Sequence, residues 1–457
     1  MINSIPKPNF DWESKRNHTS LYLIVLIKFF LTLITCSSSP NPDFVKAQKI
    51  NTIESYNSFI SKYPNSPQIL KANLQIEKLK SLEQPTNYKL NSEVSIEITP
   101  KEGKFIDNKG TIKQILEFYK SKSKRETFTG VDGIKIVYDY FPSEGAKQAL
   151  VISHGTGESS IRYAEVVYDL LNNKVPYSIF VINHRGHGFS QRMIGKNKEW
   201  NPSWNVYEID KEEIQDYRKI YVRDFEDYVK DFGTLINIIK DKYKIEKVSA
   251  LGHSLGGAVI ARYAEQNING LDKMILSAPM FSLIGLLGAD NYDFVSKAII
   301  SSGDTFSSKG YAIAGGGASF SHFSTKYDTE DNSLNYYTTS YNRFFMKKYL
   351  LQENPETSLG GLTWGFVDAI YEIVKDIRSD AQKIKTPTLI FQAEFDDYVH
   401  PSGQDTVCKK INLNTPGLCK IIKVENAKHE LFLERDYIRN RVMSQILDSL
   451  GSKVKNK

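Results

Sequence analysis

From Glu126 onward, short apolar runs alternate with amphipathic stretches of helical period. Leu150 to Ser153, Ile179 to Ile182, Val248 to Leu251, Met274 to Ser277 and Leu389 to Phe391 are apolar at nearly every position, the pattern of strands buried on both faces, and Ile421 to Val424 reads as a further apolar strand. Asp132-Gly133 stands between Phe128-Thr129 and the run Ile134 to Tyr138, which predicts a hairpin turn. Strands separated by helical segments predict an α/β fold, a mostly parallel central sheet with helices on both faces, over residues 121–280 and 386–451. The rhythm stops between Phe281 and Lys385. Because this stretch, residues 281–385, interrupts the sheet between two core strands, it is expected to fold over the carboxyl ends of the strands as a lid. Of the 100 residues from Phe281 to Asp380, 17 are aromatic against 12% for the chain, an excess that favours an apolar cavity over a solvated loop.

The first 120 residues follow other patterns. Leu21 to Ile34 is the longest apolar run, but Lys28 interrupts it and it falls short of the roughly 20 apolar residues that span a bilayer. Lys15 and Arg16 precede it, Leu33 to Cys36 end it, and Ser37, Ser38, Ser39 and Pro40 follow. This resembles a bacterial lipoprotein signal, with residues 1–35 as the signal peptide, Cys36 as the acylated first residue and residues 36–43 as a tether. The resemblance implies an envelope protein held at a membrane by acyl chains, each methylene contributing about 0.8 kcal/mol. Residues 44–83 carry Ile53, Tyr56, Phe59 and Ile60, then Ile69, Ala72, Leu74, Ile76 and Leu79, at helical spacing on either side of Tyr63-Pro64-Asn65-Ser66-Pro67. They look like one tetratricopeptide-type helical hairpin. A single such unit does not bury its own apolar face, so it either packs on the main domain or docks an envelope protein partner. Residues 84–120 begin with a polar stretch dotted with Pro and Gly and read as linker.

Composition narrows the picture in two places. The net charge of +6 over 457 residues is spread along the chain with both signs mixed, which gives no basic stripe for nucleic acid. There are 3 Cys; besides Cys36, Cys408 and Cys419 flank a short segment between a predicted helix and a strand. In an exported chain they are expected to form a disulfide. No His and Cys cluster has metal-ligand spacing, so no metal and no cofactor is expected.

The chemistry lies in Gly252-His253-Ser254-Leu255-Gly256-Gly257, which follows the predicted strand Val248 to Leu251 and precedes an Ala- and Val-rich helix. Small residues in a strand-to-helix turn let the backbone bend sharply and present the Ser254 hydroxyl at the top of the sheet. A serine hydroxyl is a weak nucleophile; it needs a base, and the base needs an orienting acid, in the chain order Ser, acid, His. Of the eight histidines only His400 and His429 follow an acid beyond the last core strands. His429, in the loop after Ile421 to Val424, is the expected base, and His400, beside Pro401, the structural one. Glu394, Asp396 and Asp397 all qualify as the acid by position. The backbone N–H of Leu255, next after the nucleophile, is the expected oxyanion donor.

The segments His154 to Glu158 with Arg162-Tyr163, Asn183-His184-Arg185-Gly186-His187-Gly188-Phe189-Ser190, Gly252 to Gly257 and Ser277-Ala278-Pro279-Met280 resemble the monoacylglycerol lipase and lysophospholipase branch of the serine α/β-hydrolases. Gln392-Ala393-Glu394, Ala427-Lys428-His429-Glu430 and Gly360-Gly361-Leu362-Thr363-Trp364 are most similar to bacterial lysophospholipases within it. The resemblance covers about Glu126 to Leu450. It implies an α/β-hydrolase fold, selects Asp396, three residues before Val399, as the acid, and makes the N–H of Thr156 the second oxyanion donor, with His154 bracing that loop. It implies hydrolysis of one fatty-acyl ester of lysophospholipid or monoacylglycerol through an acyl-enzyme, with no cofactor. The alternatives are a short-chain carboxylesterase or acyltransferase, or a binding lipoprotein whose hydrolase core is not catalytic. Asn183 departs from the Asp usual in the family and bears on local loop geometry.

Overall fold

The computed structural model describes residues 41–452 apart from 51–52, 82–87, 93, 100–103, 196–197, 205–211, 284–293 and 313–336. The signal segment, Cys36 and most of the tether lie outside the described residues. The chain divides into two compact units, residues 1–84 and 85–457.

The first unit contains α1 (Pro42–Ile50), α2 (Ile53–Lys62) and α3 (Ile69–Ser81). The break predicted at Tyr63 to Pro67 is present, a turn in which Ser66 N donates to Tyr63 O. Three helices stand where two were expected. Phe44 and Ala47 on α1 pack with Tyr56, Phe59, Ala72 and Ile76, so three short helices close a small core that two could not. The rings of Phe44 and Phe59 are 5.0 Å apart.

In the second unit, the stretch read as linker carries structure. β1 (Ile96–Thr99) and β2 (Lys104–Asp107) form an antiparallel ribbon, and α4 (Thr111–Lys122) follows. The Asp107 carboxylate accepts from the N–H groups of Ile112 and Lys113, satisfying two orphan donors of α4. Ile112, Ile115, Leu116 and Tyr119, one face of that helix, are buried. Their helical spacing was visible in the sequence, masked by the polar stretch before it.

The core is an eight-stranded sheet of β3 (Lys124–Thr129), β4 (Lys135–Phe141), β5 (Gln148–Ser153), β6 (Ser178–Asn183), β7 (Lys247–His253), β8 (Lys273–Ser277), β9 (Thr388–Ala393) and β10 (Cys419–Val424). Its spatial order is β10-β9-β8-β7-β5-β6-β4-β3. The pairs from β6 to β10 are parallel; β4 is antiparallel to β6 and to β3. The predicted hairpin is the β3–β4 turn, where Asp132 and Gly133 have φ of 56° and 74°. Along β5, Ala149 and Val151 enter one core cluster while Leu150 and Ile152 enter the other, so both faces are covered, as continuous apolar runs require.

The covering helices are α5 (Ala164–Asn172), α6 (Glu212–Arg218), α7 (Glu226–Asp241), α8 (Leu255–Gln266), α9 (Phe294–Ser307), α10 (Tyr341–Glu353), α11 (Trp364–Asp380), α12 (Pro401–Asn414) and α13 (Asp436–Ser449). Among the described residues none is long and apolar enough to cross a membrane. Strands β8 and β9 are hydrogen-bonded neighbours although α9, α10 and α11 intervene in the chain. The insertion is not all lid: Phe366, Ile370, Ile373, Val374 and Ile377 of α11 belong to the same core cluster as α7 and α8. Their spacing of three and four residues makes α11 a wall of the core. Cys408 on α12 and Cys419 at the start of β10 are joined, with Cα atoms 5.3 Å apart.

Two expectations follow from this packing. Glu265 on α8 is buried; burial outweighs Arg262, which pairs with one oxygen at 3.1 Å, and pushes the carboxyl up to about 8. Its other oxygen has no hydrogen-bond partner. Folding therefore takes up a proton between the ordinary carboxyl range and about pH 8, and stability falls as pH rises through that window. Glu265→Gln should raise the melting temperature at pH 9 and leave it nearly unchanged at pH 4; equal shifts at both would refute this. Replacing Cys408 and Cys419 together by Ala should cost roughly 3 kcal/mol in urea unfolding, the loop-closure entropy of so short a loop.

Candidate active site

The carboxyl ends of β5, β7, β9 and β10 deliver the predicted residues to one edge of the parallel sheet. Ser254 follows β7 directly and caps α8 with φ 50° and ψ −115°, a conformation that L-residues avoid and that stores about 1–3 kcal/mol. Four main-chain hydrogen bonds hold it. Ser254 N donates to Ser277 O at 3.1 Å, and its carbonyl accepts from Gly257 N, Ala258 N and Met280 N at 3.0, 3.2 and 3.0 Å. Gly256 explains the small residues of the motif: a Cβ there would stand 2.0 Å from the Ser153 carbonyl oxygen. The first turn of α8 thus lies against the end of β5, and the loop that follows β5 is brought to the serine.

That loop contains Thr156. Glu158 N donates to Gly155 O to close the turn, and an added Cβ on Gly155 would be 3.3 Å from Ser254 Cβ. Leu255 opens α8, so its N–H is among the four that have no partner within the helix. His154 braces the loop as expected. Its Nε2 accepts from His184 N at 3.1 Å, so Nδ1 carries the proton and donates to Gly155 O at 2.8 Å. Burial pushes its pKa down to about 4, which keeps it neutral. Asn183 substitutes cleanly for a carboxylate: Oδ1 accepts from Ser160 N at 2.9 Å while Nδ2 donates to Ser160 Oγ at 3.1 Å.

The three acids separate at once. Asp396 Oδ2 lies 2.8 Å from His429 Nδ1, and Oδ1 accepts from the N–H groups of Tyr398 and Val399, each at 2.9 Å. Burial works to raise its pKa, but His429 and the two N–H donors outweigh it and hold the carboxyl below the ordinary value. Glu394 instead accepts from Asn426 N at an exposed position, and Asp397 lies 3.9 Å from Lys428. His400 caps α12, its ring accepting from Ser402 N. The His429 ring packs 4.8 Å from that of His253, the residue immediately before Ser254, and both Ser254 and His429 are buried.

Two features had not been read from the sequence. The first is a buried ionic cluster beneath these loops. Glu158 accepts from Gly155 N at 2.7 Å and Tyr163 Oη at 2.8 Å and pairs with Arg162 Nε at 2.9 Å. Arg162 Nη2 stands 2.6 Å from Glu430 Oε1, an ion pair rather than an aligned hydrogen bond, and Glu430 Oε2 lies 3.4 Å from His253 Nε2. Ligand atoms of Glu158, His253 and Glu430 fall within 4.8 Å of one another, but the cation that pairs with both carboxylates is the Arg162 guanidinium. The second is Glu434. It accepts from Lys428 N at 2.7 Å and from Thr339 N at 3.0 Å, which fastens the His429 loop to the segment that leads into α10. Charges inside otherwise apolar or Gly-rich motifs were the available signal for both.

Beside the Thr156 loop is a cavity of about 20 Å³, lined by Gly157, Glu158, Arg162, Lys347, Leu350 and Thr357 among others. Residues 284–293 and 313–336 of the stretch expected to roof an apolar cavity lie outside the described residues.

The sheet and the strained serine turn define the class: an α/β-hydrolase. Residues 144–436 match the model of the family described as serine aminopeptidase, S33 (Hydrolase_4), and the chain belongs to that family. It is 25% identical over 345 residues to lysophospholipase L2 of Escherichia coli strain K12, covering 74% of this chain and 90% of that one. It is 28% identical over 160 residues to the monoacylglycerol lipase of Mycolicibacterium smegmatis, covering 35% and 48%. Among solved structures, a soluble variant of monoglyceride lipase from Saccharomyces cerevisiae in complex with a substrate analog has the same fold, with a TM-score of 0.50 and 19% identity over 72% of this chain and 96% of that one.

Gly256→Ala is expected to break the turn, because the Ser153 carbonyl cannot move without unpairing β5. The variant should lose reaction with a fluorophosphonate and melt several degrees lower; normal labelling at an unchanged melting temperature would refute the steric account.

Proposed function

We propose that the protein is a serine hydrolase that cleaves a fatty-acyl ester of lysophospholipid or monoacylglycerol. The observation that carries the reading is the buried Asp396–His429 pair at 2.8 Å, whose imidazole packs 4.8 Å from the ring of His253, the residue before a serine held at positive φ. In this reading His429 Nε2 takes the Ser254 proton as Oγ attacks the ester carbonyl. The resulting oxyanion is met by the N–H groups of Leu255 and Thr156, each donor of this kind being worth about 2.7–4 kcal/mol. Collapse expels the glycerol-side alcohol, which receives the proton from His429, and leaves an acyl-enzyme. Water, activated by the same imidazole, releases the fatty acid. Asp396 holds the ring in the Nδ1–H tautomer and stabilises the imidazolium; it does not take the proton.

The substrate class is supported by the lysophospholipase and monoacylglycerol lipase relatives. Acylation of Cys36 and residence at the bacterial envelope belong to the same proposal, since an anchored enzyme meets single-chain lipids at the membrane surface.

Wild-type protein should be labelled by a fluorophosphonate and Ser254→Ala should not. Asp396→Asn should lower kcat by about four orders of magnitude, the loss expected when the tautomer is reversed, whereas Asp397→Asn and Glu394→Gln stay within a few-fold. Fatty-acid release from lysophosphatidyl lipid, monoacylglycerol and a short-chain ester, measured side by side, should favour the long acyl chains. Preference for the short ester would give a carboxylesterase, and no labelling of the wild type a binding protein.

A further inference from the structure

The ionic cluster beneath the two loops holds two buried carboxylates, Glu158 and Glu430, and one guanidinium, Arg162. One positive charge is missing. The ring of His253 is placed to supply it. Its Nδ1 faces the carbonyl oxygen of Ser277 at 3.1 Å, and its Nε2 faces Glu430 Oε2 at 3.4 Å. The carbonyl only accepts, so Nδ1 carries a proton, and a second proton on Nε2 would set a positive charge 3.4 Å from the Glu430 carboxylate.

We propose that His253 is held as an imidazolium and acts as the positioning residue that fastens the nucleophile strand to the loops carrying the oxyanion donor and the base. The connections run through single residues. His253 precedes Ser254 on β7. Glu430 follows His429. Glu158, on the far side of Arg162, holds the N–H of Gly155, the residue before Thr156. Gly155 also makes room for the ring: a Cβ there would meet His253 Cδ2 at 2.9 Å. With His253 charged, two anions and two cations close the cluster at zero net charge, the condition under which buried ions persist.

The groups around His253 are Glu430 and the ring of His429, 4.8 Å away, from the base loop, Glu158, Arg162 and the neutral His154 from the loop after β5, and Lys347 from α10, which interacts with Glu430. Burial works against the charge, but Glu430 and Glu158 outweigh it and raise His253 above its ordinary value. Lys347, the rival source of charge, is pushed down to about 7 by burial and by Arg162. It makes a cation–π contact with Tyr337 at 4.2 Å and no ion pair among the described residues. Because the folded-state value of His253 is raised, the stabilisation is full below the ordinary histidine range and is lost as pH climbs through the raised value.

The charge of His253 stands on its own geometry; its part in catalysis rests on the Ser254 reading. The test is a long-range proton–nitrogen spectrum of the full chain labelled with 15N-histidine, recorded from pH 6 to 10. At pH 7.5 one ring, absent from His253→Gln, should show protons on both nitrogens, and Glu430→Gln should return that ring to a neutral tautomer. The rate of fluorophosphonate labelling should fall as that ring loses its proton. His253→Gln should be about ten- to a hundred-fold slower throughout, the loss expected for one charge-assisted contact, and should lack that alkaline limb. A neutral tautomer at pH 7.5 in the wild type overturns the proposal. So does an imidazolium whose replacement leaves both rate and pH profile unchanged. If the wild type does not react with the fluorophosphonate at all, the Ser254 reading and the positioning role fall together, while the spectrum still decides the charge.

Discussion

One backbone conformation governs this molecule. Ser254 sits at positive φ, a state that a serine leaves whenever it can, and everything around it removes the freedom to do so. β8 takes its N–H, α8 and Met280 take its carbonyl, and the lack of a side chain at Gly256 lets the helix start press on the end of β5. The strain is small beside the burial that opposes it, since each apolar side chain on the two sheet faces contributes roughly 1.5–3 kcal/mol. The parallel sheet therefore acts as the frame that keeps one residue in an unrelaxed position at the carboxyl ends of its strands.

Around that hydroxyl the structure uses electrostatics at two distances. Asp396 touches the imidazole directly and is itself fixed by two backbone N–H groups, so the ring orientation is inherited from β9. Further back, Glu158, Arg162 and Glu430 join the loop after β5 to the loop after β10, far apart along the chain. Such pairs add little net stability over well-packed apolar side chains, but breaking one leaves a buried charge alone, which is severe. Their use here is to fix relative position.

Much of this was legible in the sequence, and the parts that were not share a cause. β5 to β9 announced themselves because strands covered on both faces are apolar at nearly every position, edge strand β10, with Lys420 and Lys423 exposed, did so less plainly, and the serine turn did because only small residues fit it. Asp396, Glu394 and Asp397 are alike in sequence; what separates them is which carboxylate β9 turns toward β10, a property of three dimensions. α4 and α11 were passed over because a polar neighbour, or membership in a long insertion, hid an ordinary apolar stripe. The ionic cluster and Glu434 escaped because the contacts that define them, Arg162 with Glu430 and Glu434 with Thr339, join positions more than ninety residues apart along the chain, and until folding brings these together each charge looks like a surface one.

The adjacency of β8 and β9 has an evolutionary side. The strand behind the nucleophile and the strand before the acid pair directly, while the chain between them loops out through α9, α10 and α11. Residues in the outer part of that loop can lengthen, shorten or change character without shifting the register of either strand. The intervening chain and the strands that carry Ser254 and Asp396 are therefore separable parts of the gene, and one can drift while the other is held fixed by selection.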